Sequence, residues 1–137
     1  MTKTMIRAHL NPTESPEKVE RAITRLFGDI EIKHIKNHEM DHLEATLDGI
    51  DALKTLRSHL AQERIRDSVR AMLTRWASDS DKVTFHLNRQ AAYAGHVSIY
   101  HANKVPMGPI EVGIEGDPQE IIDYLCGKTR SDKVHKK

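Results

Sequence analysis

The sequence predicts an α+β domain: one largely antiparallel sheet with helices on one face. Two observations carry this. Short runs with strict apolar/polar alternation occur mostly as neighbours joined by brief connections, as antiparallel strands do. Between them stand separate segments whose apolar residues recur at three- and four-residue spacing, the mark of helices packed by one stripe. The predicted order is β-α-β-β-α-α-β-β-β-α, within a single domain over residues 1–130. The basic tail 131–137 is expected to be disordered.

The first alternating run is Met5 to Leu10, with Ile6, Ala8 and Leu10 against Met5, Arg7 and His9. Asn11-Pro12-Thr13-Glu14-Ser15-Pro16 punctuates it. Ser15 is placed to cap a helix, with Pro16 at its first position and Glu17 in its first turn. Val19, Ala22, Ile23, Leu26 and Phe27 form one stripe, and Gly28 ends it. Asp29 to Ile35 alternates with Ile30 and Ile32 inward, Lys36 to His42 is polar, and Leu43, Ala45 and Leu47 alternate again before Asp48-Gly49. This reads as a strand, a connection and a second strand, an antiparallel pair.

Leu53, Leu56 and Leu60 carry a helical stripe, and Ile65, Val69, Met72, Leu73 and Trp76 carry another. The step from Leu60 to Ile65 is five residues, so the stripe slips and two helices with a bend near Gln62-Glu63 are predicted. A turn at Ser78 to Asp81 leads to the strand Val83, Phe85, Leu87 and a polar-then-small corner, Asn88 to Gly95. His96 to Tyr100 alternates, Asn103 to Gly108 is a loop, and Ile110, Val112 and Ile114 form a last strand. Asp117 caps a final helix that starts at Pro118, buries Ile121, Ile122 and Leu125, and stops at Gly127.

The chain has 137 residues, enough for one core, and 21 basic against 20 acidic side chains. Bulk charge gives no nucleic-acid signal, so any basic footprint must be local. The single cysteine, Cys126, allows no internal disulfide and falls at an apolar position. No apolar run reaches the roughly 18 residues of a membrane span. No signal-peptide core precedes the first strand, and a cytoplasmic protein is expected.

The sharpest motif is His38-Glu39-Met40-Asp41-His42, with His34 four residues before it. On a helix, H-E-x-x-H holds zinc between two imidazoles, with the Glu as base. Here the motif lies between two strand-like runs, so it reads as a polar loop. A metal-dependent hydrolase using His38, Glu39 and His42 is the alternative. Otherwise no catalytic residue, metal set, cofactor motif or phosphate loop is found.

Arg66 and Arg70 share a helix face and can reach phosphates, with Glu63 and Asp67 interleaved as salt-bridge partners. Arg89 and Lys104, with His86 and His101, make a local basic patch at one end of the sheet, where Tyr93 and Tyr100 add stacking surface. With six Phe, Trp and Tyr residues in total, an aromatic platform is poorly supplied. Near-zero net charge also suits a protein-interaction or structural module without nucleic acid. Strands without evident edge protection point to pairing between copies, by edges or by helix docking.

Four stretches resemble a small family of archaeal proteins. They are Asn11-Pro12-Thr13-Glu14-Ser15 with the following helix, Arg64-Ile65-Arg66-Asp67-Ser68-Val69-Arg70, Phe85-His86-Leu87-Asn88-Arg89-Gln90-Ala91-Ala92, and Gly108-Pro109-Ile110-Glu111-Val112. The resemblance spans nearly the whole chain. It implies a fold similar to the large-subunit ribosomal "protein five". It also implies a predicted RNA-binding or exosome-associated role, and a homodimer. With it, the favoured expectation is a non-catalytic homodimer that contacts RNA or a ribonucleoprotein through Arg66, Arg70, Arg89 and Lys104.

Overall fold

A computed structural model describes residues 2–77, 81–100 and 109–127. Six strands, β1 (Lys3–His9), β2 (Lys33–Ile35), β3 (His42–Asp48), β4 (Lys82–Leu87), β5 (Ile99–Tyr100) and β6 (Ile110–Glu115), join in the order β2-β3-β1-β6-β4-β5. Every pairing is antiparallel. Five helices accompany them: α1 (Pro16–Phe27), α2 (Lys54–Gln62), α3 (Arg66–Trp76), α4 (Arg89–Tyr93) and α5 (Pro118–Leu125). A 3-10 turn, Ile50–Leu53, leads into α2.

The alternation read from the sequence is the alternation of a sheet covered on one side. Ile6 and Ala8 of β1, Leu43 and Ala45 of β3, Val83, Phe85 and Leu87 of β4, and Ile110, Val112 and Ile114 of β6 are buried. The α1 stripe Val19, Ala22, Ile23, Leu26 and Phe27 packs into the same core, with Leu56, Leu60, Val69, Leu73, Ile121, Ile122 and Leu125. At about 1.5–3 kcal/mol for each large buried side chain, this continuous layer is the main stabilising term. Among the described residues no helix lies on the opposite face of the sheet.

The ends of α1 follow its punctuation. Gly28 adopts φ +91, and its N–H donates to the Thr24 carbonyl at 2.8 Å. Ser15 occupies the cap position, but its hydroxyl donates to Glu17 Oε1 at 3.0 Å rather than accepting from the backbone. The break between α2 and α3 falls at residues 63–65. There Arg64 takes a left-handed φ of +59 and Ile65 N–H returns to the Leu60 carbonyl. Asp117 caps α5 through Gln119 N–H. Cys126 is buried, and burial pushes its thiol up to about 11, so it is a neutral core residue.

Three expectations change in detail. The strand expected over Asp29 to Ile35 is confined to Lys33–Ile35, because Ile30 and Ile32 reach the core from irregular chain. The His96 to Tyr100 strand shortens to Ile99–Tyr100. The corner after β4 is not a turn but the short helix α4, nucleated by Asn88, whose side chain accepts from Ala91 N–H at 2.9 Å. The expected turn at 78–80, the loop at 103–108 and the tail at 131–137 lie outside the described residues.

Candidate functional site

Three stretches far apart in sequence close on one corner of the sheet. The turn after β1 is tied by Glu14, whose Oε1 accepts from Asn11 N–H at 3.0 Å and Asn11 Nδ2 at 3.2 Å. Glu14 then reaches α4: Arg89 Nη1 donates to its Oε1 at 2.6 Å, and the Tyr93 hydroxyl donates to its Oε2 at 2.8 Å. Arg89 Nη2 donates to the Pro109 carbonyl at 2.9 Å, just before β6. The Arg89 and Glu14 side chains are only 1% and 9% exposed. Such a pair keeps its charges only because partners on both sides replace water.

Burial alone would raise the Glu14 carboxyl. The Asn11 N–H, the Tyr93 hydroxyl and the Arg89 guanidinium outweigh it and hold the group below the ordinary carboxylate range. Burial and the adjoining carboxylate push Tyr93 up to about 12. Glu14 is therefore an anion whose charge is cancelled from within, and Tyr93 is a neutral donor.

Above this floor lies an open cleft of about 490 Å³ between α1 and α4. Lys18, Arg21 and Arg25 line it from α1, with Ala22 between them and Thr13 and Tyr93 beside them. Spacing of three and seven residues puts the three cations on one stripe. All three residues are exposed. Arg25 Nη1 donates to the Tyr93 carbonyl at 3.0 Å, which fixes its stem across the cleft mouth. Gly95 permits this: its φ is +82, and a Cβ there would stand 3.4 Å from Arg25 Nη1. With Glu14 neutralised, the cleft presents a ridge of two guanidinium groups and one ammonium. That array suits phosphate oxygens, which accept from Arg in pairs and from Lys as a point charge.

Of the four cations read from the sequence, the three among the described residues do not come together. Arg89 is turned inward as described. Arg70, half-buried on α3, donates to Asp123 Oδ1 at 2.7 Å and to the Gly127 carbonyl at 2.5 Å, so it closes the C-terminal end of α5. Arg66 is exposed beside Gly127. Lys104 lies outside the described residues. The Lys18–Arg21–Arg25 stripe was readable from its spacing, but Glu17 just before it and Glu20 within it hide it in a plain charge count.

The H-E-x-x-H segment is not helical. Residues 36–41 are irregular and His42 begins β3. In the β2–β3 register His34 stands opposite Leu43 and Ile35 opposite His42, so His34 and His42 project from opposite faces. His34 Nε2 lies 3.1 Å from Asp41 and His42 Nε2 lies 2.9 Å from Glu44. Among the described residues no three potential ligands gather as a metal set. The geometry on which the hydrolase alternative depends is not formed.

A family model described as RNA binding matches residues 3–115. A protein of Sulfurisphaera tokodaii named UPF0201 is 38% identical over 131 residues, covering 94% of this chain and 90% of its own. The chain belongs to the UPF0201 family. The UPF0201 protein MK0399 of Methanopyrus kandleri is 32% identical over 143 residues, covering 97% and 89%. Among solved structures, the UPF0201 protein of Methanococcus jannaschii superposes with a TM-score of 0.77 at 28% identity, over 90% of this chain and 98% of that one. The stretches quoted for the archaeal resemblance thus lie in a family that matches nearly end to end. Residues of three of them (Glu14, Arg89 and Pro109) meet at the corner beneath the cleft.

Proposed function

We propose that the protein binds RNA through the α1–α4 cleft, with Lys18, Arg21 and Arg25 on consecutive phosphates and the Tyr93 ring beside them. The observation that carries this is the cationic stripe above a carboxylate whose charge is already cancelled. Membership in a family described as RNA binding agrees with it. Arg66 and Lys104 remain proposed as further phosphate contacts. Arg70 and Arg89 are assigned instead to holding the frame on which the cleft is built.

The reading is of a cytoplasmic binding protein rather than an enzyme. Glu14 is held low and Tyr93 high, so neither is poised to exchange a proton near neutral pH. Among the described residues no helix is long and apolar enough to cross a membrane. The chain is proposed to act as a homodimer, because among the described residues no helix covers one face of its sheet, which carries the exposed Met5.

The test is titration with structured and single-stranded RNA at several salt concentrations. Affinity should fall as salt rises. Replacing Lys18, Arg21 and Arg25 together by Gln should flatten the log–log salt slope by about 2. Absence of binding at low salt overturns the proposal.

A further inference from the structure

The α1–α4 cleft has two unlike sides. Every cation that lines it among the described residues, Lys18, Arg21 and Arg25, comes from α1. At the helical rise that ridge spans about 10 Å, a length that follows one strand of nucleic acid. The other side carries the Tyr93 ring, and the buried Ala22 lies between the cations. A duplex presents phosphates on a convex backbone and keeps its base faces stacked inside, so it would meet the ridge and leave the ring uncovered. An unpaired nucleotide meets both, with phosphate on the cations and a base face on the ring.

Tyr93 is set in advance for that contact. Its hydroxyl donates to Glu14 Oε2 at 2.8 Å, and its carbonyl accepts from Arg25 Nη1 at 3.0 Å. Held at both ends, the residue loses little further freedom when a base stacks on it.

Glu14 adds a second demand. Its Oε1 accepts from Asn11 N–H, Asn11 Nδ2 and Arg89 Nη1. Its Oε2 accepts from Tyr93 only, among the described residues, whereas a carboxylate oxygen can accept two hydrogen bonds. Glu14 lines the cleft, so an acceptor position is left at its floor.

We infer that the cleft takes an unpaired nucleotide of an RNA strand, with its base on the Tyr93 ring and an amino group of that base on Glu14 Oε2. The inference rests on the RNA reading of the cleft and names the class of RNA. Cytosine, adenine and guanine each carry an exocyclic amino group. Uracil offers only its ring N–H, flanked by two carbonyl oxygens that repel a carboxylate. Glu14 is held ionised, so it accepts and cannot donate. A base that turns acceptors toward it is therefore rejected.

Fluorescence anisotropy with the full chain, at neutral pH and fixed salt, is the test. The probes are oligocytidylate, oligouridylate and an RNA duplex of equal length. Oligocytidylate should bind tighter than oligouridylate by about fivefold or more, the discrimination of one matched base contact. The duplex should bind more weakly than either. Tyr93→Leu should weaken both homopolymers by about fivefold or more, the scale of one stacked base. Its salt slope should match that of wild type, since the three cations remain, and Tyr93→Phe should recover most of the loss. Glu14→Gln, with its fold checked by circular dichroism, should bring the two homopolymers within about twofold, because an amide can present its oxygen or its amino group. Equal affinity of wild type for the two homopolymers, or a duplex bound as tightly as oligocytidylate, overturns this inference and leaves the RNA reading standing. A cytosine preference that survives Glu14→Gln, or affinity unchanged in Tyr93→Leu, overturns it as well. No RNA bound at low salt overturns both.

Discussion

Glu14 and Arg89 stand 75 residues apart in the chain and 2.6 Å apart in the fold. Their ion pair joins the turn after β1 to α4, and the second guanidinium nitrogen extends the link to Pro109 before β6. Arg89→Met removes the cation and leaves a buried carboxylate facing an apolar side chain. A loss of about 3–5 kcal/mol in unfolding free energy is expected, measured by urea denaturation. The Glu14→Gln/Arg89→Met double variant should lose less than the sum of the singles, since no lone charge remains. If Arg89 touched phosphate directly, its loss would flatten the salt slope of RNA binding. As a buried frame residue, it should leave that slope unchanged in the fraction that stays folded.

The same network contributes to the acid limb of stability, beside Glu17, Asp41 and Glu44, whose carboxyls are also held low by hydrogen bonds and nearby cations. The Glu14 carboxyl is lower in the folded chain than in the unfolded one. Between those two values the unfolded state binds more protons, so stability rises with pH there. Its contribution is complete above the unfolded value of about 4.3 and is lost as pH falls through the folded one. Glu14→Gln should therefore flatten the acid side of a stability–pH curve, at the cost of lower stability at neutral pH.

Tyr93 acts at the other end of the scale. Its hydroxyl titrates near 10 in the unfolded chain and is pushed up to about 12 in the folded one, by burial and by Glu14. The neutral form is the one the fold favours, so its contribution is fully present below about 10. It should be lost as pH rises toward about 12. Tyr93→Phe should remove this alkaline decline, and absorbance at the tyrosinate band should show one fewer late-titrating tyrosine. A decline unchanged in Tyr93→Phe would place its origin elsewhere.

How much of this was legible beforehand depends on the range of the interaction. The α1 helix was read to its last residue because its stripe, its Pro16 start and its Gly28 stop are all local signals. The alternation in β1, β4 and β6 was legible because the sheet is covered on one face, which forces period two into the sequence. The α4 helix was not, since five residues are too few to show a stripe, although Asn88 followed by Ala91 and Ala92 was a usable capping signal. The cleft was half legible: a three- and seven-residue spacing of Lys18, Arg21 and Arg25 marks a ridge. That Arg89 turns inward was not legible, because its partner Glu14 is supplied by another element and no local pattern distinguishes a buried arginine from a solvated one.

Gly28 offers a test of backbone geometry. Its φ of +91 is open to glycine at little cost, and a Cβ there would stand 2.9 Å from Thr55 Oγ1. Gly28→Ala should lower stability by about 1–2 kcal/mol from the conformation alone, with more from the contact. Adding Thr55→Ala should return only the contact part. Full recovery in the double variant would show that the backbone carries no penalty.

Arg70 separates a frame residue from a phosphate ligand on α3. It holds Asp123 at 2.7 Å and the Gly127 carbonyl at 2.5 Å, so it satisfies an acceptor just beyond the C-terminal end of α5 and places a cation at the negative end of that helix. Arg70→Ala should lower stability by about 1–2 kcal/mol, the scale of a charge-assisted hydrogen bond at a partly exposed site. Hydrogen exchange should quicken first in the last turn of α5. RNA affinity at fixed salt should change little, because the guanidinium is already engaged. Arg66→Ala, one helical turn earlier and exposed, should show the reverse: near-neutral stability and weaker RNA binding. The same ranking for both variants in both assays would mean that α3 contributes to RNA binding only through folding.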